Sequence, residues 1–566
     1  MSNTYKGNIS KALLFHQVRQ EIIIKPSDRG TDITKTIQGR FTIPSQYHYT
    51  METQSCTVSN NSRGVTVRAA TQWMDLVNVA VGNALGIEHN RVEVIVPRLG
   101  GGYGGKGSRS SQIACACAVV AYKLNRTATL VMSIVDNMAA VGKRQECEMD
   151  YEIGINNDGL IQYLNITYYS DCGYCFNDAA GDFSEMMVTL YDTSRWQIEG
   201  YSVLTDKAGM TWCRAPGSTE SISIIEHIME RIAFATKKDP TDIRLMHLAK
   251  KNVVMKDIVA SFQRDCDFEE RKAAIKKFNE ENAWKKKALR LSLMAYPIIY
   301  SWNFPVTITI HHADGTISMA HGGIEMGQGI NTKVAQVCAY TLKIPLEKVT
   351  VRPSDSFTSP NSMASNGSIT SDCVAFATVK ACEELLRRLE PFKKGLENPK
   401  YIPTSVLHDV PFRQPARLHR VRSVRRRGRA GRADGQPSAA ESGCSALNYT
   451  LQDYTVYGVC AAEVELHVLM GSNQLRRVDL LEDTGISISP DIDVGQHLVY
   501  GSNGKLLTNR TWTYKPPGAK DIPADFRVSF RRNSPNPAGV LRSKGTYSYH
   551  YLLMFISLCS LKALET

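Results

Sequence analysis

Two glycine-rich segments are the residues of this chain best suited to hold a ligand. The first glycine loop is residues 100–106 (GGGYGGK), and the second glycine loop is residues 322–329 (GGIEMGQG). Glycine has no Cβ, so the backbone N–H groups of such loops can approach an anion or a large cofactor. Each loop joins a predicted strand to a predicted helix, whose N-terminus adds unpaired N–H donors and the positive end of a dipole. The pair predicts one large anionic ligand held from both sides.

The first glycine loop also fits two nucleotide-binding patterns. Gly100, Gly102 and Gly105 match GxGxxG between a strand-like run at 92–96 and a predicted helix at 111–122. A strand predicted at 129–135 then leads to Asp136, which could bind a ribose, so an NAD-binding dehydrogenase stays an alternative. The loop nearly matches GxxxxGK[ST] too, but Gly107 stands where Ser or Thr must hold Mg²⁺. Nucleoside triphosphate hydrolysis is therefore disfavoured.

The elements that must position these loops are a mixture of hairpins and helices. Alternating runs around Asp-Gly and similar turns predict hairpins at 151–166, 306–319 and 464–480. Apolar residues at helical spacing predict helices at 220–235, 332–342 and 374–389, with Ser218 and Asn331 as N-caps of the first two. Because strands and helices do not alternate regularly, the fold class is α+β.

The length of 566 residues and a charged, apolar-poor stretch at 268–287 predict more than one domain. We expect a first domain at 1–255 and a second at 285–545. The Arg-rich insert 414–443 has neither hydrophobic period nor turn pattern, so its composition predicts disorder. Residues 546–566 form a tail.

The formal net charge of +12 does not predict a nucleic-acid-binding face. Nine arginines lie between Arg413 and Arg432, and the rest of the chain carries only about +3. The longest apolar run, 551–559, is too short to span a bilayer, and because no apolar run follows a basic N-terminal start we expect no signal peptide. We therefore expect a cytoplasmic protein that binds neither nucleic acid nor membrane, with its 14 cysteines reduced. The lone CxxC pair, Cys172 and Cys175, does not complete a zinc or iron–sulfur site.

Five motifs in order carry a family resemblance. They are residues 46–54 (QYHYTMETQ), the first glycine loop, residues 211–218 (TWCRAPGS), the second glycine loop with Thr332-Lys333, and residues 482–485 (EDTG). Together they resemble the molybdopterin-binding region of the aldehyde oxidase/xanthine dehydrogenase family, over most of 35–400 and 450–545. The resemblance implies two molybdopterin-binding domains with the cofactor at their interface.

The resemblance also implies the residues around the cofactor, whose molybdenum is held by pterin sulfurs rather than by protein thiolates. Four residues are expected near the metal: Gln72, Tyr103, Arg214 and Gly367. The other expected cofactor contacts are Gly102, Gly104, Gly327, Gln328, Gly329, Asn366 and Ser368. Amide side chains suit a pterin edge because they both donate and accept hydrogen bonds.

Two substitutions relative to the family point to the substrate. Gly107 stands where xanthine dehydrogenases carry a glutamate, and Pro216 stands where they carry a stacking phenylalanine. A purine would lose both a polar anchor and a ring partner, so the resemblance implies an aldehyde oxidase-like substrate pocket. The implied reaction converts an aldehyde to a carboxylic acid with oxygen from water.

Other departures from the family bear on activity. The chain opens inside the molybdenum region, so we expect the 2Fe-2S and FAD domains of full-length relatives not to belong to it. The family's glutamate base follows a sequence like Leu541 to Lys544, but here the chain continues with Gly545, Thr546 and Tyr547. The catalytic base is therefore unknown, and a catalytically inactive cofactor-binding remnant is an alternative.

The insert and tail resemble mis-spliced translation, which predicts poor solubility. A homodimer, or a dimer with a full-length relative, is expected.

Overall fold

The computed structural model describes residues 18–176, 187–300, 303–393, 452–483, 523–531, 534, 536 and 539–544. The Arg-rich insert 414–443 and the tail 546–566 lie outside these residues, as do Thr484 and Gly485 of the last motif.

The described residues form strands and helices in mixed order. The strands are β1 Val18–Ile24, β2 Lys35–Ile43, β3 Ser55–Asn61, β4 Gly64–Ala69, β5 Val92–Val96, β6 Ala128–Val131, β7 Cys147–Ile155, β8 Ile161–Gly173, β9 Trp196–Leu204, β10 Lys285–Ile298, β11 Val306–Ile310, β12 Ile317–His321, β13 Val349–Val351, β14 Ser354–Asp355, β15 Tyr454–His467, β16 Ser472–Glu482 and β17 Asp525–Phe530. The helices are α1 Met74–Leu85, α2 Ser110–Leu124, α3 Ile134–Ala140, α4 Ser218–Thr236, α5 Pro240–Met246, α6 Val254–Asp265, α7 Phe268–Glu281, α8 Ile330–Leu342 and α9 Thr370–Lys393.

The strands build four sheets. Their strand orders are β1-β9-β8-β7-β2, β14-β5-β4-β3-β6, β10-β15-β16-β17 and β11-β12-β13. Each contains antiparallel pairs, and the mixture with helices is the predicted α+β architecture.

One apolar core joins residues from both ends of the chain. Helix α4, with Ile224, Ile228 and Ile232 buried, lies in the same cluster as the β2–β7–β8 sheet. Leu291 of β10 and Val459 of β15 belong to that cluster too. Burying each such side chain contributes about 1.5–3 kcal/mol. The sheets before and after α6 and α7 are therefore held together by shared apolar burial.

The sheet that carries the first glycine loop is completed by a strand from later in the chain. The short strand β14 pairs antiparallel with β5, so that Ser354 faces Val96. Ile324, in the second glycine loop, is buried in the core of this same sheet. These contacts place the two glycine loops beside each other.

The predicted hairpins are confirmed: β7 pairs with β8, β11 with β12 and β15 with β16, all antiparallel. The predicted helices 220–235, 332–342 and 374–389 are confirmed within α4, α8 and α9. The predicted strand 129–135 is too long, because Ser133 caps α3 by accepting a hydrogen bond from the Asp136 N–H.

Both predicted N-caps were wrong. Gly217 caps α4 with φ 72°, and its carbonyl accepts the Ser221 N–H, so Ser218 is already helical. Gly329 caps α8 with φ 71°, and Asn331 lies in the first turn. Glycine takes these positive-φ conformations at little cost. Each helix therefore begins earlier in the chain than predicted.

The predicted boundary near 255–285 coincides with α6 and α7. The domain limits themselves stay a prediction. In the part of the chain described here, no helix is both long and apolar enough to cross a lipid bilayer.

Candidate functional site

Gln72 is the residue that ties the first glycine loop together. It is buried, and its Oε1 accepts hydrogen bonds from the N–H groups of Gly104 at 3.0 Å and Lys106 at 3.3 Å. Its own N–H donates to the Lys106 carbonyl at 2.8 Å. Gly104 has φ 96°, a conformation that glycine favours. One side-chain amide thus fixes the curvature of the loop.

The same Gln72 reaches the segment that precedes α9. Its Nε2 donates to the Ser365 carbonyl at 2.9 Å, and the Ser365 N–H donates back to the Gln72 carbonyl at 2.8 Å. The Ser365 hydroxyl accepts the Ile324 N–H at 2.8 Å, which connects it to the second glycine loop. The Leu99 N–H adds a bond to the Glu325 carbonyl at 2.8 Å. The candidate site is therefore assembled from four distant segments.

The chain's own side chains fill most of the space beside the first glycine loop. A Cβ on Gly102 would lie 2.6 Å from Gln72 Oε1, and one on Gly104 would lie 2.5 Å from the Trp212 carbonyl oxygen. A Cβ on Gly105 would lie 2.8 Å from the His48 ring. These glycines are thus required by close packing inside the protein.

The second glycine loop is closely packed at Gly322 and Gly323 but open at Gly327 and Gly329. An added Cβ on Gly327 or Gly329 would meet nothing within 4 Å. Their N–H groups both donate to Glu325 Oε1 at 3.0 Å, and the Asn331 N–H donates to Glu325 Oε2 at 3.1 Å. A carboxylate of the chain itself thus occupies the N-terminus of α8, where an external anion was predicted.

The predicted pterin contacts of this region have spare hydrogen-bonding capacity. Gln328 accepts the Met326 N–H and donates to the Ile324 carbonyl, both at 2.7 Å, which leaves one N–H and one lone pair on its amide. Asn366 follows Ser365, and its Oδ1 is buried without a hydrogen-bond partner. Gly367 and Ser368 continue this turn with φ 63° and 58° before α9 begins.

Arg214 is held against the first glycine loop. Its N–H donates to the Tyr103 carbonyl at 2.8 Å, and its guanidinium lies 5.7 Å from the centre of the Tyr103 ring. The buried Arg144 donates to the Arg214 carbonyl at 2.7 Å and forms an ion pair with Glu220 at 3.2 Å. A fully buried ion pair is costly to break because the remaining charge is left without its partner.

Charged and titratable groups lie directly behind the loop. Lys106 is buried and donates to Glu52 at 2.7 Å; burial lowers the pKa of this ammonium, while Glu52 opposes the shift. Burial also lowers the pKa of His48 to about 4, so its ring is neutral at pH 7 and Nε2–H donates to the Trp212 carbonyl at 2.7 Å. The sequence analysis gave no role to Arg144, Ser365, Glu325 or Trp212, although Glu325 and Trp212 lie inside two of the motifs.

Of the two predicted substrate-pocket residues, Gly107 lies beside Trp212. A Cβ on Gly107 would lie 3.4 Å from the Trp212 ring, so the indole takes up the room beside Gly107. Pro216 follows four residues later and is half-buried. An aromatic ring thus lies beside Gly107, and the substrate roles of Gly107 and Pro216 stay predictions.

The strand order differs from that of a dinucleotide-binding unit. Such units place the strands before and after the glycine-loop helix next to each other. Here β4 and β3 separate β5 from β6. Asp136, the candidate ribose ligand, instead accepts a hydrogen bond from Ser133 at 2.7 Å within α3.

The described chain ends beside the last motif. Lys544 forms an ion pair with the buried Asp483 at 2.5 Å. The residues where the family base was sought lie outside the described residues.

Sequence comparison agrees with this architecture. Residues 23–248 and 262–523 each match a family model described as a molybdopterin cofactor-binding domain. The chain belongs to the molybdenum-dependent oxidoreductases that include the aldehyde oxidases and xanthine dehydrogenases.

Individual relatives are distant. The chain is 29% identical over 566 residues to "Probable aldehyde oxidase gad-3" of Caenorhabditis elegans, covering 94% of this chain and 43% of the relative. It is 27% identical over 548 residues to "Xanthine dehydrogenase" of Dictyostelium discoideum, covering 90% and 39%. The chain thus spans about two fifths of the length of these relatives.

Solved structures share the fold. Quinoline 2-oxidoreductase from Pseudomonas putida 86 matches with a TM-score of 0.78 at 16% identity, over 96% of this chain and 76% of that one. CO dehydrogenase from Oligotropha carboxidovorans matches with a TM-score of 0.76 at 18% identity, over 94% and 72%.

The residues present fit a molybdenum–pterin cofactor. Asn366 Oδ1 offers a buried, unpaired acceptor, and the space beside Gly327 and Gly329 is open. The N–H groups of Gly327 and Gly329 bind the carboxylate of Glu325, so the spare hydrogen-bonding groups of this region are those of Gln328 and Asn366.

Proposed function

We propose that this chain binds the molybdenum cofactor between its two glycine loops and acts as the catalytic part of an aldehyde-oxidising enzyme. The observation that carries the proposal is the contact between Gln72 and Ser365, because it brings the first loop beside Asn366, whose buried Oδ1 is unpaired. When bound, the cofactor supplies the two-electron redox chemistry.

The protein's own part is to bind, orient and exclude water. Gln328 and Asn366 hold the pterin edge through their spare amide groups. Gln72 and Tyr103 would contact the cofactor near its metal, and Arg214 would add positive charge there. Because these groups are already bound to the surrounding backbone, little reorganisation accompanies ligand binding.

An aldehyde is the proposed substrate class. Gly107 offers no carboxylate to a purine, and Trp212 presents an apolar ring beside it. A pocket without the polar anchor discriminates against a substrate that needs it. We further propose that electrons pass on to 2Fe-2S and FAD centres of the kind found in full-length relatives, in a cytoplasmic dimer.

The test is to express the full chain in a host that makes the cofactor. We expect pterin and molybdenum to copurify, and aldehyde to be oxidised to carboxylic acid with an artificial electron acceptor. Asn366→Ala should lower pterin content. Asn361→Gly is the control, since Asn361 is exposed in the same segment with φ 59°. A folded chain that takes up no pterin refutes the proposal.

A second candidate is a cofactor-binding chain without turnover. It is favoured by Gly545, Thr546 and Tyr547, which stand where the resemblance places the glutamate base. Bound pterin and molybdenum with no oxidation of any tested aldehyde would favour this candidate over the enzyme.

A further inference from the structure

Ser365 lies where three segments of the candidate site meet. Its side chain and backbone together make three hydrogen bonds, two to Gln72 and one to Ile324, with lengths of 2.8–2.9 Å. Ser365 is 2% exposed, and Gln72 is 2% exposed. Water cannot replace these partners at little cost, because a buried polar group left unpaired is strongly penalised.

Each bond of Ser365 leads to a different part of the site. The bonds to Gln72 lead to the first glycine loop, because Gln72 Oε1 accepts the Gly104 and Lys106 N–H groups. The Oγ bond leads to the second glycine loop through Ile324. The next residue in the chain is Asn366, whose Oδ1 is unpaired.

We infer that Ser365, acting with Gln72, is the positioning residue that sets the spacing between the two glycine loops and Asn366 before the cofactor binds. Ser365 acts through its neighbours. This inference rests on the proposed cofactor site and adds a residue to it.

The alternative is that Ser365 merely fills a buried position. Ser362 provides the comparison, because it is equally buried, three residues earlier in the same segment, and its hydroxyl donates to the Ser359 carbonyl at 2.7 Å. This hydrogen bond stays within its own segment, although the Ser362 side chain also packs against Gly322 of the second glycine loop. Removing either hydroxyl deletes the same atom from a similar environment, but the Ser365 hydroxyl accepts a hydrogen bond from the second glycine loop whereas the Ser362 hydroxyl donates within its own segment.

The experiment measures how fast bound pterin leaves the full, cofactor-loaded chain, by fluorescence after oxidation of the released pterin. Ser365→Ala removes the acceptor for Ile324, and the release rate should rise about 10-fold, as for other residues that orient a ligand set indirectly. Gln72→Glu keeps an acceptor for Gly104 and Lys106 but puts a carboxylate oxygen against the Ser365 carbonyl. Gln72→Glu should also raise the release rate of pterin. It tests the inference even if Ser365→Ala does not fold.

Ser362→Ala should release pterin at the wild-type rate, even if its urea midpoint falls as far as that of Ser365→Ala. Wild-type release rates in Ser365→Ala and Gln72→Glu would overturn the inference, as would an equal acceleration in Ser362→Ala. Both outcomes require a wild-type chain that carries pterin. A folded wild-type chain without pterin would instead refute the proposed function, so the two failures are distinguishable.

Discussion

The space for a side chain at position 107 is limited by its neighbours, among them Trp212. The absent carboxylate at position 107 was the sequence-level reason for an aldehyde substrate. The structure adds that a Cβ there would lie 3.2 Å from the Gly104 carbonyl oxygen and 3.4 Å from the Trp212 ring. The contact with the carbonyl oxygen is tight, and a backbone carbonyl cannot move as a flexible side chain does, whereas the Trp212 ring lies at ordinary contact distance. A glutamate at 107 therefore strains the loop at Gly104, and its longer side chain has to find room beside the Trp212 ring.

We predict that Gly107→Glu alone lowers the free energy of unfolding by about 1–3 kcal/mol through overpacking, without creating purine oxidation. Adding Trp212→Ala should recover part of the loss. Urea unfolding of the full chain measures this, with Ser108→Glu as the control that adds the same charge one residue along. Full stability of Gly107→Glu would show that the indole does not restrict position 107.

Residue types were readable from the sequence, but their partners were not. The resemblance to the family located Gln72, Gln328 and Asn366 by motif position, and their amide side chains suit a pterin edge. That Gln72 bonds to Ser365 could not be predicted, since the two are far apart in sequence and hydrophobic periodicity carries no information on such pairs. The cofactor roles of the named residues stay predictions.

At the scale of elements, the start of α8 is controlled by a residue outside the helix. Helix N-termini leave N–H groups without intrahelical partners, and a negative charge there is favourable. Glu325 supplies it to Gly327, Gly329 and Asn331. Residue preferences for N-caps predicted Asn331, because they refer only to the residues next to the helix start. They do not take account of a carboxylate four residues before the cap whose side chain binds the N–H groups there.

Removing this carboxylate should loosen the second glycine loop. We predict that Glu325→Ala lowers the free energy of unfolding by about 2 kcal/mol, since hydrogen bonds to a charged group are worth more than neutral ones, and that it also lowers pterin content. Glu325→Gln, which keeps one acceptor oxygen, should be milder. Glu347→Ala is the control, at an exposed glutamate beyond α8. Increased pterin content in Glu325→Ala would mean that Glu325 competes with the cofactor.

At the scale of the whole molecule, the elements were easier to predict than their assembly. The hairpins and three long helices follow from local alternation and helical spacing. The pairing of β14 with β5, and the core shared by α4, Leu291 and Val459, join residues hundreds of positions apart. The apolar pattern of β10 shows that it is buried, but not which sheet buries it.

Buried histidines give the whole fold a defined pH response. Burial lowers the pKa values of His48, His227 and His321 to about 4, from an ordinary value near 6.5. Between these two values the unfolded chain binds more protons than the folded chain. The free energy of unfolding therefore falls as the pH drops from about 6.5 toward 4, and these groups add no further slope below that.

We predict that urea midpoints of the full chain decline steadily from pH 7 to pH 5, above the range where most carboxylates titrate. His48→Gln should make the decline shallower, because one of the three protonation sites is gone, although it also loses the bond to the Trp212 carbonyl and starts from a lower stability. The exposed His311 offers the matched control, and His311→Gln should keep the wild-type slope. If His48→Gln and the wild type lose stability equally between pH 7 and pH 5, the His48 ring is not the buried neutral group that supports the first glycine loop.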